Sequence, residues 1–346
     1  MLLTTMCLPA PKYNHFKKNL KIYNRYDAAK EKLVIELKKF HDCKHVFLFG
    51  NCFGALSFLL SSLKLNNRTS VITAATSYRR TKSFIEWSGL KPSYIDNNID
   101  HLGLDIDKLE SKLKKNKNSI ILAQHPMVHL LPIKNLIFLS KKYKTKLVFD
   151  SVEATGMSYN NRSIGSFGDA EVFSLHPSKV LNGGEGGYIC TNSNFIKKKL
   201  LFEIKNLNQF PYLFPIDYQH IVLAISSIQS YKNTRTKLKL IYERYFLNFK
   251  TINQFKLVEY NYKNSPNFKS ILVKNLSKIK TQKIINLLNK KKILARRYYY
   301  PIQALYEKNN FICGQSISEQ HFILPINFLM KKNQVDFICD ELRKLI

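Results

Sequence analysis

From Lys44 onward, short apolar runs alternate with longer stretches whose apolar residues recur at helical spacing, and this rhythm limits the fold more than any other feature. Lys44 to Gly50 predicts a strand, and Ala55 to Leu65 a helix after a tight glycine-containing turn. Ser70 to Ala75 predicts a second strand, Tyr78 to Ser88 a helix, and Pro92 to Asp96 a third strand. A helix is expected from Leu104 through Lys115, with acids in its first turn where the helix dipole favours them. Ser119 to Ala123 and Lys146 to Asp150 are further strands around a helix from Ile133 to Tyr143, and the alternation continues through Val172 and Gly187 to Cys190. Such an order implies an α/β fold, a mostly parallel sheet with helices on both faces.

Beyond Asp217 the pattern changes. A long helix is expected from Tyr218 to Phe246, then a strand at Phe268 to Val273, a helix from Lys280 to Asn289, a short segment at Tyr298 to Tyr300, and a closing helix from Gln334 to Leu345. The expected division is therefore a large domain, 1–216, and a smaller C-terminal α+β domain, 217–346.

Charge is the one compositional feature that needs an explanation. Lys and Arg number 55 against 24 Asp and Glu, a formal charge of +31. A basic excess of that size ordinarily suggests nucleic acid or an anionic membrane. Here it is mostly Lys, is spread along the whole chain and accompanies abundant Asn, Ile, Tyr and Phe, so it implies solvated faces and a general attraction for anionic substrates. Cys7, Cys43, Cys52, Cys190, Cys313 and Cys339 form no CxxC pair and no metal spacing, which fits reduced thiols in a cytoplasmic protein. No apolar stretch reaches the ~18 residues a membrane span needs, and the N-terminus lacks the pattern of a signal peptide. His125 and His129 lie four apart with Pro126 between them and no evident carboxylate partner, so no metal is expected.

One lysine stands apart. Asp150 is expected at a strand end, where open α/β sheets gather their ligands. Lys179 follows in a loop just before the glycines of Gly183 to Gly187, with Ser174 between them. This arrangement suits pyridoxal phosphate: an ε-amine forms a Schiff base with the cofactor aldehyde, and a carboxylate keeps the pyridine nitrogen protonated. Spacing alone leaves open that Lys179 is a surface lysine beside a turn.

The local sequence is more specific. Gly165-Ser-Phe-Gly-Asp169, then Phe173-Ser-Leu-His176 with Lys179, then Gly184-Glu-Gly-Gly187 stand in order between Val148 and Asn192. This stretch resembles the DegT/DnrJ family of pyridoxal-phosphate-dependent aminotransferases, fold type I enzymes that aminate keto sugars on nucleotide carriers. The likeness extends along the chain through Ser77 to Thr81, Trp87 to Asp96, Leu104 to Glu110, Tyr300-Pro301 and Leu324-Pro325.

The resemblance implies a homodimer that takes its amino group from glutamate and uses a nucleotide-linked sugar as acceptor. It implies Lys179 as Schiff-base lysine and proton carrier, Asp150 at the pyridine nitrogen, and Glu153 at the ring hydroxyl. Tyr78 falls where an aromatic stacks on the ring. Ser174 and the turn containing Cys52 and Phe53 fall at the phosphate. His176, Arg296 and Tyr300 fall toward the substrate, and in that context the basic aromatic run Arg296 to Pro301 lines a sugar-nucleotide cleft instead of binding nucleic acid.

Several positions depart from the family. Phe53 replaces a threonine at the phosphate turn; Phe214 to Tyr218 stands where relatives carry an asparagine segment, with Asn208 as a conceivable substitute; Gln124 to His129 lacks a usual glycine. Glu153 replaces a Gln or His, and its charge would repel a phenolate unless one of them is protonated. A sugar dehydratase or deoxygenase of the same fold, and a degenerate non-catalytic member, therefore remain alternatives; relatives that dehydrate typically replace the lysine by histidine.

Overall fold

Strand runs with no polar interruption can be satisfied only by burial on both faces. The computed structural model, which describes residues 13–66, 68–116, 118–206, 215–299 and 310–345, places such runs in a seven-stranded sheet, fully buried at its centre and partly exposed in the edge strand Lys91–Ile95. Its strands are β1 (His45–Phe49), β2 (Ser70–Ala74), β3 (Lys91–Ile95), β4 (Ser119–Gln124), β5 (Lys146–Asp150), β8 (Ala170–Ser174) and β9 (Gly187–Thr191). A two-stranded hairpin, β6 (Ser158–Tyr159) and β7 (Arg162–Ser163), leaves the chain between β5 and β8.

The order is β1-β9-β8-β5-β4-β2-β3, with parallel pairing from β8 to β3 and β9 antiparallel to both its neighbours. Alternation along each strand sends its side chains to opposite faces. Ile72, Ile121, Leu147, Phe149 and Phe173 enter one core, whereas Val71, Ile120, Val148, Val172 and Ile189 enter the other.

Preceding the sheet are α1 (Tyr13–Ile22) and α2 (Tyr26–His41); within it run α3 (Cys52–Ser62), α4 (Thr81–Trp87), α5 (Ile106–Lys115) and α6 (Ile133–Lys142), and α7 (Asn194–Lys205) follows it. The helix expected from Tyr78 begins at Thr81, and the Tyr78 backbone N–H ahead of it donates to Gln124 Oε1 at 2.7 Å.

Next comes α8 (Tyr218–Phe249), 32 residues long and capped by the Asp217 carboxylate on Gln219 N. Its first half packs against α1 and α2, where Asn19 Nδ2 donates to Ser226 Oγ at 2.7 Å. Its second half meets the C-terminal part of the chain, where Tyr245 Oη donates to the Pro325 carbonyl at 2.7 Å.

That part holds a four-stranded antiparallel sheet in the order β10 (Phe255–Leu257), β11 (Ile271–Asn275), β13 (His321–Leu324), β12 (Arg296–Arg297). Helices α9 (Thr281–Lys290), α10 (Ile312–Gln320) and α11 (Lys332–Arg343) accompany it. Two expectations shift here. The strand expected from Phe268 starts at Ile271, since Phe268 has a φ of 56°, a left-handed conformation no strand accepts. The segment expected at Tyr298 contributes its ladder at Arg296 and Arg297.

Candidate active site

Three strands end together. Gln124 at the end of β4 is in register with Asp150 at the end of β5, Asp150 with Val172 of β8, and Ser174 at the end of β8 with Gly187 of β9. Asp150, Ser174 and the chain that follows each therefore share one edge of the sheet, its carboxyl edge along the parallel strands, as expected for ligand binding in such sheets.

Asp150 is buried, and among the described residues the hydrogen bond given to its carboxylate comes from Val152 N at 3.2 Å. Burial pushes its pKa up to about 6; the Val152 N–H and the Lys179 amine oppose this without cancelling it. A carboxylate held in this way is ready for a cationic partner.

The chain then makes a 3-10 turn, Val152–Ala154, that turns Glu153 inward. Glu153 Oε1 accepts from Lys179 Nζ at 2.6 Å, and Oε2 accepts from Lys269 Nζ. The side chains of Lys179 and Glu153 are only 16% and 7% exposed. Burial alone would raise the Glu153 pKa, yet the two ammonium groups outweigh it and bring it down to about 2. The repulsion expected of a carboxylate at position 153 is thus answered by a residue the sequence reading missed. Lys269 carried a signal all the same: a charged residue two positions ahead of the apolar run of β11, in a chain whose Glu153 needed a cation.

Burial disfavours the Lys179 ammonium, but Glu153 and then Asp150 hold its pKa above the ordinary lysine value. The loop that carries it is tightly specified. Lys179 N donates to the His176 carbonyl at 2.8 Å, and His176 Nδ1 is engaged by Ser178. Ser174 Oγ accepts from His176 N at 3.2 Å. Gly184 needs a φ of 80°, and a Cβ there would lie 2.8 Å from His220 Nδ1 on α8. Behind the loop, buried Glu171 accepts from Gly165 N and Phe167 N, both at 2.7 Å, and from Ser151 Oγ, so the Gly165 to Asp169 turn is a brace for the strand ends.

Helix α3 points its N-terminus at the same place. Asn51 caps it by accepting from Gly54 N at 2.7 Å, which leaves the N–H groups of Cys52 and Phe53 as donors for an anion. The Phe53 ring turns away to pack edge-on against Phe84 and Trp87, at 5.0 and 5.5 Å, so the position offers its backbone and no hydroxyl. Gly187 admits this helix: a Cβ would sit 2.5 Å from Cys52 N and Cα. Gly187→Ala is accordingly expected to destabilise the protein by ~1–3 kcal/mol through overpacking, read from denaturant unfolding. The same variant should bind inorganic phosphate or pyridoxal phosphate more weakly, since the clash falls on the helix end.

The other expected residues scatter. Tyr78 is half-exposed, stacked on Phe84 at 6.0 Å, and tied through its backbone to Gln124. Gln124 Nε2 in turn donates to Tyr299 Oη at 3.1 Å, which brings a buried tyrosine just beyond the small sheet to the strand ends. Tyr300, its neighbour, expected toward the substrate, lies outside the described residues, as do Asn208 and Phe214. Arg296 is exposed on β12, while Arg297 donates to the Ser318 carbonyl. His125 is buried, stacked on Phe149 at 5.1 Å, and accepts from Leu131 N.

These residues fit pyridoxal phosphate. A buried amine, a buried carboxylate lacking a cationic hydrogen-bond partner among the described residues, and a helix N-terminus beside a serine match its aldehyde, ring nitrogen and phosphate.

The chain as a whole is similar to known proteins. The dTDP-4-amino-4,6-dideoxy-D-glucose transaminase of Shigella dysenteriae is 24% identical over 339 residues, covering 91% of this chain and 89% of its own. Helicobacter pylori PseC, described as an aminotransferase of pseudoaminic acid biosynthesis, superposes with a TM-score of 0.88 at 20% identity over 99% of each chain. A Streptococcus pneumoniae sugar aminotransferase solved in its PLP form does so with a TM-score of 0.87 at 17% identity, over 98% of this chain and 99% of its own. The shared fold is that of the fold type I aminotransferases. Since the sequence pattern of the DegT/DnrJ/EryC1/StrS aminotransferase family matches residues 21–208 and 221–343, the chain belongs to that family, whose members depend on pyridoxal phosphate.

Proposed function

We propose that this aminotransferase moves an amino group from glutamate to a keto sugar carried on a nucleotide, as a homodimer in the cytoplasm. One observation carries the reading: the buried Lys179 amine, paired with Glu153 and electrostatically coupled to Asp150, which has a raised pKa and lies at a strand end. The Shigella relative's named substrate class and the +31 charge, which favours anionic substrates, support the acceptor. Free cysteines at 43, 52, 190, 313 and 339 are in keeping with a reducing compartment. No described helix is long and apolar enough to cross a membrane.

When bound, pyridoxal phosphate supplies an electron sink. Lys179 Nζ would hold it and carry a proton. Asp150 would hold a proton at its nitrogen. Ser174 Oγ and the N–H groups of Cys52 and Phe53 would bind its phosphate, and Tyr78 would lie on its aromatic side. We assign His176, Arg296 and Tyr300 to the substrate. The division into a cofactor-binding domain, 1–216, and a smaller domain, 217–346, belongs to the same reading.

Protein loaded with pyridoxal phosphate and given glutamate with a panel of nucleotide-linked keto sugars should yield 2-oxoglutarate and an amino sugar, both read by mass spectrometry. A product that has lost oxygen without retaining nitrogen would replace transamination by dehydration. Absence of saturable cofactor binding would sink both.

A further inference from the structure

Two buried lysines converge on one buried carboxylate, and the reading above uses only one of them. Lys269 reaches Glu153 from the segment that leads into β11. Asn267 Nδ2 anchors that segment by donating to the carbonyls of Glu153 at 2.9 Å and Thr155 at 3.1 Å, while Asn267 Oδ1 accepts from Lys269 N at 3.2 Å. Both the backbone and the carboxylate of Glu153 are therefore held from the small sheet. The Lys269 side chain is 7% exposed, so its ammonium is as buried as the carboxylate it faces.

One negative charge cannot neutralise two ammonium groups. Burial lowers the Lys269 pKa, with Glu153 compensating only in part and Lys179 adding to the fall, whereas Lys179 is raised. A buried anion that lost its sole counter-ion would be strongly disfavoured. That would be the fate of Glu153 whenever the Lys179 nitrogen is taken up elsewhere, were Lys269 not there.

Resting on the assignment of Lys179 as the cofactor lysine, we propose that Lys269 is a positioning residue. Acting through Glu153, it keeps that carboxylate charged and in place when Lys179 changes partners, and it tempers the negative field at the Lys179 nitrogen. The other titratable groups facing this cluster are Asp150 of β5, Cys52 of α3, His176 of the lysine loop, and Tyr260, Tyr298 and Tyr299 of the C-terminal part. Burial holds the thiol and the phenols neutral by raising their pKa values, and holds His176 neutral by lowering its own. Asp150 supplies the remaining charge.

The test is a pH titration of the visible absorbance of the full chain loaded with pyridoxal phosphate. Lys269→Met removes a cation, so the protonated nitrogen persists to higher pH and the midpoint rises by about 1 unit or more. Glu153→Gln moves the midpoint down by a similar amount. The double variant, which removes a neutral pair, returns toward the unsubstituted value, and Lys269→Arg stays near it. A lysine that merely tied two segments together would not produce opposite shifts that cancel.

An unmoved midpoint in Lys269→Met with the band intact overturns the proposal. Lys269→Gln serves in the same way should the Met variant not fold. If the unsubstituted protein shows no visible band, the functional reading itself fails, and this proposal with it.

Discussion

Lys179→Ala is expected to lower turnover by at least ~10²–10⁴-fold, the usual worth of a positioned proton carrier, and to abolish borohydride labelling by pyridoxal phosphate. The expectation follows from the amine's surroundings. Its side chain is 16% exposed and hydrogen-bonded to Glu153, which holds the amine inside the site. Lys179→Arg should do no better. A guanidinium keeps the charge and the ion pair but neither forms the Schiff base nor gives up a proton in the working pH range. Peptide mapping after borohydride treatment decides the matter. Label on Lys179 in the unsubstituted protein, and none in either variant, is the expected pattern; label recovered on Lys269 would move the attachment point to the other lysine of the cluster.

Asp150→Ala carries the second large effect. Loss of one preorganised charge at a reacting group costs roughly 10²–10³-fold in turnover, and Asp150 is the buried carboxylate at the strand ends placed to supply it. The same residue makes a pH prediction for the cofactor-free protein. Its folded pKa of about 6 lies above the ordinary value of 3.8, so the folded chain holds this proton more tightly than the unfolded chain does. The stability it contributes is full below the ordinary value and is lost as pH rises through about 6. Thermal unfolding between pH 4 and 7 should fall less steeply in Asp150→Ala, and an identical slope in the two proteins would contradict the burial of this carboxylate without an ion pair among the described residues.

Strands whose two faces are both buried were legible because nothing else suits an uninterrupted apolar run: β2, β4 and β5 lie within a residue of where Ser70 to Ala75, Ser119 to Ala123 and Lys146 to Asp150 placed them. The antiparallel setting of β9 was not legible, since pairing direction leaves no mark on a strand's own composition. Backbone conformation at single residues was equally silent: the helix expected from Tyr78 starts at Thr81, and Phe268 is taken out of its expected strand by a left-handed backbone. At the site, motif order marked the neighbourhood of Asp150, Ser174 and Lys179, which the fold gathers at one edge. Gln124, Lys269 and Tyr299 escaped notice because they act through partners distant in sequence: Tyr78 and Tyr299 for the glutamine, Glu153 for the lysine.

Helix α8 joins what the two sheets do. Over its 32 residues it runs about 48 Å at the usual rise. Near its start His220 Nδ1 donates to the Gly183 carbonyl and Ser227 Oγ accepts from Asn182 N, just beyond Lys179; near its end Arg244 makes a two-pronged pair with Asp336. The element that packs on the C-terminal part is therefore the same one that hydrogen-bonds the Asn182–Gly184 stretch, so the backbone just past Lys179 rests on a single helix shared by both sheets.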